Sequence, residues 1–506
     1  MAEGRRVSYQ WRSRDVETFH DVSDRGVVPL TRDLDLEGLR DETKLNLNVT
    51  AVRPEASMRN ALRTYGFPQA TADLSPDEDL INLLVNAAEI EHGLMIQYLF
   101  ASATAGRTDL AEYLSILAIE EMGHFLTVQN LLIAFGAEPH MQHGDWIETA
   151  IFKPFAFRLE QASKASVAKY AIAEMPDEHS RHIDEAQRAV LPAIFNDAVK
   201  STGAQGVMPH RVGLLYAKIY WLLRTSDAPL PEGQSEPWED FPIAEATENA
   251  PNWHITDGLF RSDRLARLGL LENWTAPGRD LKVRKLARRE DALQAIADLS
   301  AQGEGFGGSP DGHFDKLVRA WELPDSEYPV LTSFAQDPWY GDAAAGDNAG
   351  RTGDQITNPV AAAFAKMGDK AYEIVVLATA MSLLLPDEAI NEDRASVAYA
   401  SMACMKSCLL PCITLLARTP VSADSTVSRK LSGLPYLQTP LLAASDAAAA
   451  YVRMSVLKDA IVAIAAEVQQ IPGASIIVKN TAKAVSAKLT TDVWPRIEQV
   501  VATKPQ

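Results

Sequence analysis

The chain has 506 residues, and its 67 acidic against 48 basic side chains leave a net charge of −19. No basic stripe with interleaved aromatics occurs, so a nucleic-acid partner is not expected, because phosphate backbones are met by clustered Lys and Arg. A hydrophobic content of 47%, with abundant Ala and few alternating β-branched runs, points to a mostly α protein too long for one simple bundle.

From the N-terminus, residues 1–75 read as an irregular, charge-mixed arm punctuated by Pro29, Pro54 and Pro68. The arm has no apolar core of a secretory leader, so a cytoplasmic protein is expected. Two helix-period runs follow, 79–103 and 110–136, separated by the polar turn Gly106-Arg107-Thr108-Asp109. Glu91 lies about 15 residues before that turn and Glu121 about as far after it. At a rise of roughly 1.5 Å per residue, the two carboxylates reach one level of an antiparallel hairpin. His124, three residues after Glu121, shares its helix face. All three sit among apolar neighbours, where a charge is costly unless it is paired or bound to a cation.

Next come Tyr170-Ala-Ile-Ala-Glu174-Met-Pro176, which ends an apolar stretch with a Glu, and before it FKPFAF (152–157), a loop that the sequence allows to pack over the site. Residues 183–280 read as an insertion. It holds a helix at Val212–Arg224 and a long Pro/Trp-rich loop, DAPLPEGQSEPWEDFP, a candidate lid. Trp238, Trp253 and Trp274 read as loop anchors or as aromatic walls for a planar substrate. Helix period resumes over Ala292–Gly305, which carries Glu304, and His313 follows after the loop GFGGSPDG. Beyond the Gly/Asp-rich linker 340–359, residues 360–420 and 442–500 are strongly helical, with a loop at 420–440. The apolar run Ile374–Leu385 is too short to span a bilayer and reads as a core helix, so no membrane partner is expected. Cys404, Cys408 and Cys412 recur at helical spacing around Pro411. A thiolate rail for a soft metal is conceivable there, but small apolar side chains on a packed face are the simpler reading. No nucleotide-binding glycine motif and no solenoid repeat is present.

The resulting organisation is an N-terminal arm (1–75), a bundle (76–325) with inserted loops (183–280), and a helical C-terminal region (326–506). Glu91 on one helix and Glu-x-x-His on the next are half of the carboxylate-bridged dimetal site of ferritin-like bundles. Glu174, Glu304 and His313 offer the second half. Four carboxylates and two histidines are the inventory of a di-iron or di-manganese site. The loop between Glu304 and His313 must fold back to bring that imidazole to the metal. Tyr98, Phe125 and Tyr170 are candidate walls of a substrate pocket beside it. His92 is expected about 100° away from Glu91 on the helix and so off the metal. His140, His143, His179 and His182 are expected at the surface.

The segments LVNAAEIEHGLMIQYLFA, LAIEEMGHFLTVQNLLIAFG, YAIAEMP, AIADLSAQGEG and GHFDKLVRAWEL resemble the ferritin-like family of iminophenyl-pyruvate dimer synthases, of violacein- and indolocarbazole-type pathways. The resemblance continues through EYPVLTSF, Asn358-Pro359 and ASMACMKSCLLPCITLL, and covers roughly residues 75–435. It implies a ferritin-like fold with Glu91, Glu121, His124, Glu174, Glu304 and His313 as ligands of two Fe ions, Mn being an alternative. It implies further an O2-dependent oxidase or oxygenase acting on a small intermediate, such as an imine or keto acid derived from an aromatic amino acid. The chain departs from the family at Gly123, where a bulkier residue is usual, and over 183–280. The alternatives are a metal-storage bundle without organic substrate and a scaffold that has lost its activity. Self-association is left open.

Overall fold

The computed structural model describes residues 7–10, 67–144, 151–176, 183–204, 209–224, 254–274, 281–303, 311–329, 332–341, 351–437 and 447–502. Most of the N-terminal arm lies outside them. Its start, strand β1 (Tyr9–Gln10), pairs antiparallel with β2 (Gln69–Ala70). The Tyr9 hydroxyl donates to Asp79 Oδ1 at 2.8 Å, which fixes this pair to the first helix.

Helix α1 (Pro76–Ala105) starts where the sequence dictates. The Ser75 side chain accepts from the Glu78 N–H, the Glu78 carboxylate accepts from the Ser75 N–H at 2.9 Å, and Pro76 occupies the first turn. Gly106, at φ 81°, turns the chain in a conformation a side chain would strain, and Thr108 caps α2 (Asp109–Ala134). The hairpin is therefore longer at its first end than the expected 79–103. Helix α3 (Lys164–Ala173) is capped by Ser163 and ends on Glu174; it pairs with α4 (Glu185–Ala198). Helix α5 (Gly213–Leu223) packs on α1, α6 (Arg289–Gln302) packs on α5 and α2, and α7 (His313–Glu322) packs on α3 and α2. These contacts make a ferritin-like helical bundle around the α1–α2 hairpin. Helix α6 is as long as the expected 292–305 but starts and ends three residues earlier, stopping at Gln302.

The C-terminal region is a helical extension. After β3 (Trp339–Tyr340) and its parallel partner β4 (Gln355–Ile356), Asn358 accepts from the N–H groups of Val360 and Ala361 and starts α8 (Pro359–Leu384). The run Ile374–Leu385 lies in this helix and its C-cap, and is mostly buried. Helix α9 (Asn391–Cys404) passes through a π-turn (Met405–Leu409) into α10 (Leu410–Leu416), with Pro411 in the first turn of α10. The widened turn accommodates the missing N–H of Pro411 without breaking the helix. By length and hydropathy Asn391–Leu416 matches a membrane span, but 56% of its most apolar window is buried within the structure, as in a core helix. Its three cysteines are buried thiols; Cys404 donates to Ala371 O and Cys408 to Val485 O. Burial and neighbouring thiols push the pKa values of Cys404 and Cys412 up, which favours the packed-face reading over a thiolate rail. Helices α11 (Ala447–Gln470), α12 (Ile476–Lys488) and α13 (Trp494–Ala502) complete the extension, with α11 laid along α8.

Candidate metal centre

Glu91, Glu121, His124, Glu174 and His313 come together inside the bundle, each with 0% exposure. The hairpin supplies three of them from facing turns. His124 Nδ1 lies 2.9 Å from Glu121 Oε2 and 3.5 Å from Glu91 Oε2. Helix α3 ends just in time to turn Glu174 inward, and α7 begins on His313. His313 Nδ1 is 3.2 Å from Glu121 Oε1 and 3.6 Å from Glu174 Oε2. The two imidazoles stack, with centroids 5.0 Å apart and planes 25° from parallel. Donor atoms of Glu121, His124 and His313 all fall within 4.8 Å of one another.

The outer nitrogens of both rings are held by side chains that spacing rules did not single out. His124 Nε2 faces Gln302 Oε1 at 3.1 Å, and His313 Nε2 faces Glu120 Oε2 at 3.2 Å. Glu120 is itself tied to Lys316, whose Nζ lies 2.6 Å from Oε2. Partners on Nε2 leave both Nδ1 atoms aimed at the carboxylates, the arrangement that second-sphere acceptors impose on metal-bound histidines. Two phenols complete the shell: Tyr98 donates to Glu174 Oε1 at 2.7 Å, and Tyr216 of α5 donates to Glu91 Oε1. The backbone of Gly303 passes so close that a Cβ there would lie 2.9 Å from His124 Cε1 and 3.0 Å from His313 Nδ1. Only glycine fits that position.

The electrostatics state what this cluster lacks. Burial alone would push Glu121 up, yet His313 and His124 hold it well below the usual carboxylate range. Burial would push His313 down, yet Glu121, Glu120 and Glu174 raise it well above an ordinary imidazole. Three carboxylates in a dry interior thus draw positive charge onto whatever accepts it. Among the described residues, Glu121 Oε1 and His313 Nδ1 lie buried 3.2 Å apart without a well-directed hydrogen bond. A multivalent cation seated among these oxygens and Nδ1 atoms would satisfy them, so the donor set fits a metal.

The other sequence candidates fall differently. Glu304 lies outside the described residues, as do Trp238, Trp253, His179 and His182. Tyr98 and Tyr170 pack edge to face, with centroids 4.8 Å apart, and the Tyr170 hydroxyl is buried without a hydrogen bond. Phe125 does not share their surroundings. It turns onto a separate apolar cavity together with His92, whose ring lies 5.0 Å away. At about 100° per residue, positions 92 and 125 point a little more than a quarter-turn from positions 91 and 124, far enough to leave the centre. His92 Nε2 meets the Tyr372 hydroxyl at 2.6 Å. The surface expectation for His140 and His143 does not hold. Both are half-buried; His140 pairs with Glu89 at 3.2 Å, and His143 stacks on Phe157 at 4.6 Å. Gly123, the departure from the family pattern, lets Leu281 and Lys282 lie against α2, since a Cβ there would be 3.3 Å from the Leu281 Cα.

A family model described as ferritin-like matches residues 84–320, the segment that contains every described residue of the cluster. That match supports the broad ferritin-like grouping and does not reach the narrower dimer-synthase type. Comparison with curated proteins and with solved structures finds no match.

Proposed function

We propose that the ferritin-like segment 84–320 binds two metal ions, iron fitting best, and that the protein is an O2-dependent oxidase or oxygenase of a small organic molecule. The observation that carries this reading is the convergence of five fully buried donors, from α1, α2, the end of α3 and the start of α7, on one interior point. Glu121 would hold metal together with both histidines, since its two oxygens face His124 and His313 respectively. Glu91 with His124, and Glu174 with His313, would hold the two ions on either side. Mixed carboxylate and imidazole donors suit ferrous and ferric iron, and a di-iron centre supplies reductive activation of O2.

The chain's own residues then have definable tasks. Tyr98 and Tyr216 orient Glu174 and Glu91 and limit how those carboxylates swing. Glu120 and Gln302 hold the imidazoles in the tautomer whose Nδ1 faces inward. Burial excludes bulk water from the centre, which an oxidation that must not leak reactive species requires. The resemblance of EIEH, EEMGH and QGEG to dimer synthases suggests an aromatic amino-acid-derived imine or keto acid as substrate.

The test combines metal analysis with O2 consumption. Anaerobic loading with Fe(II) should give about two ions per chain, and the Glu121→Ala variant should lose most of them. His92→Gln should keep them. Substrate-dependent O2 uptake would support the oxidase. Full iron occupancy in Glu121→Ala would overturn the centre, and mineral accumulation without substrate-dependent uptake would favour storage.

A further inference from the structure

The α1–α2 hairpin carries a second feature on the face turned away from the metal donors. Between it and α8, α9 and the following π-turn lies a cavity of about 70 Å³. Four methionines line it, Met95, Met122, Met402 and Met405, with Phe125, Trp274 and further aliphatic side chains. No Lys, Arg, Asp or Glu lines it among the described residues.

Its polar groups are few and gathered. His92 and Tyr372 bond to each other at 2.6 Å. Thr379 and Ser401 bond to each other at 3.0 Å and also to the Val375 carbonyl. That leaves Tyr436, which stands edge-on to Tyr372 with centroids 5.2 Å apart. Its hydroxyl is buried and has no hydrogen-bond partner among the described residues. Its backbone sits at φ 53°, a conformation unusual for a bulky side chain and retained only where surroundings impose it.

A void of this size is more than close packing leaves by accident, and it could hold several waters. A buried water, however, needs two to four polar partners, and this lining offers little beyond one phenol. We infer that the cavity is a binding site for a small, neutral molecule of one aromatic ring bearing a single hydrogen-bonding group, which Tyr436 meets. Methionine and aromatic walls adapt to a flat apolar ring, and the lack of a cation among the described lining residues disfavours an anion. The site is distinct from the metal centre and draws its far wall from the C-terminal extension, which gives that extension a role in ligand binding.

Phenol, toluene and benzoate at neutral pH separate the contributions of ring, hydroxyl and charge. With the full chain, calorimetry and ligand-observed NMR should show one saturable site for phenol and, more weakly, for toluene. Benzoate should bind at least tenfold more weakly than phenol. Tyr436→Phe should bring phenol down to the affinity of toluene, and Glu121→Ala should leave phenol binding unchanged. Met402→Trp fills the cavity and should abolish binding of all three, with Val376→Phe as the milder filling variant if the first does not fold. Absence of saturable binding, benzoate binding equal to phenol, or undiminished phenol binding in a folded filling variant would each overturn the site. Loss of phenol binding in Glu121→Ala would place the ligand at the metal centre instead and overturn it too.

Discussion

The bundle and the C-terminal helices are both α-helical, yet they fill their interiors with opposite chemistry. Among the described residues, every buried histidine lies in the bundle: His92, His124, His210 and His313. The bundle also buries lysine–carboxylate pairs, Lys153 with Glu89, Lys169 with Glu160, and Lys218 with Asp79. At its centre, Glu91, Glu121 and Glu174 are met instead by imidazoles and phenols. The C-terminal helices bury thiols, alanines and aliphatics, and of charged groups among the described residues only Asp369, Glu373 and Arg394. Buried ions contribute little net stability even when paired, so a fold that keeps many of them is shaped by something other than stability. The difference teaches where selection for chemistry acts: the bundle sacrifices packing energy to hold a charged centre, and the extension supplies apolar mass against its flank.

The sharpest way to break this contrast is to remove one partner from a peripheral pair. Lys218 Nζ lies 2.7 Å from Asp79 Oδ2, donates to Pro68 O at 2.8 Å, and rests over the Tyr9 ring. Replacing it with methionine keeps the volume and leaves Asp79 buried with the Tyr9 hydroxyl alone. Lys218→Met should cost about 3–5 kcal/mol in chemical denaturation, the usual penalty for stranding one member of a buried pair. The double variant Lys218→Met with Asp79→Leu should regain much of it. A single variant as stable as the parent would show that these pairs are better solvated than their burial indicates.

Asp369 is a buried carboxylate of the apolar half with no ion pair among the described residues, and its behaviour should differ from that of the bundle carboxylates. Burial pushes its pKa up to about 8, only partly opposed by hydrogen bonds from Tyr340 and the Leu437 N–H. The folded state therefore holds this proton more tightly than the unfolded chain does. Its stabilising contribution is complete below the ordinary carboxylate range near 4, falls as pH rises, and is lost above about 8. Asp369→Asn mimics the protonated form and does not titrate. Across pH 4 to 9, the parent should lose a few kcal/mol relative to the variant, with the difference levelling above about pH 8. Parallel stability curves would mean that Asp369 ionises freely in the fold.

How much of this was readable beforehand depends on what kind of information positions each group. Helix period and turn residues place Glu91, Glu121 and His124 at one height, because those positions are related by local geometry alone. The same period finds the long helices of the extension, while the π-turn before Pro411 is invisible to it. Glu174 and His313 sit at a helix end and a helix start, so their inward aim depends on tertiary packing and is suggested only by the ligand inventory a dimetal bundle needs and by family resemblance. Tyr216 and Gln302 carry no local mark, since a Tyr in VGLLYAKIYWLLR reads as core. The direction of Phe125 fails for a related reason. Being next to His124 in sequence carries a side chain about 100° around the helix, enough to move it from the centre to the cavity.

Glu120 shows most directly what adjacency hides, and it supplies the most delicate test of the bundle's chemistry. One residue before Glu121, it points away from the ion site proposed here and toward His313 Nε2, with Lys316 holding its other side. Despite burial, His313 and then Lys316 keep its carboxyl below the usual range. Glu120→Gln preserves shape and can still receive one hydrogen bond, but it no longer offers a negative partner to the imidazolium or to a metal-bound imidazole. Iron affinity should fall about 10–100-fold, the usual effect of losing a second-sphere partner. The pH dependence of iron uptake should shift with it, because Nε2 would no longer be held against a carboxylate. Restoration by Glu120→Asp, even in part, would show that charge rather than packing carries the effect. An iron affinity unchanged in Glu120→Gln would mean that His313 is oriented by the start of α7 alone.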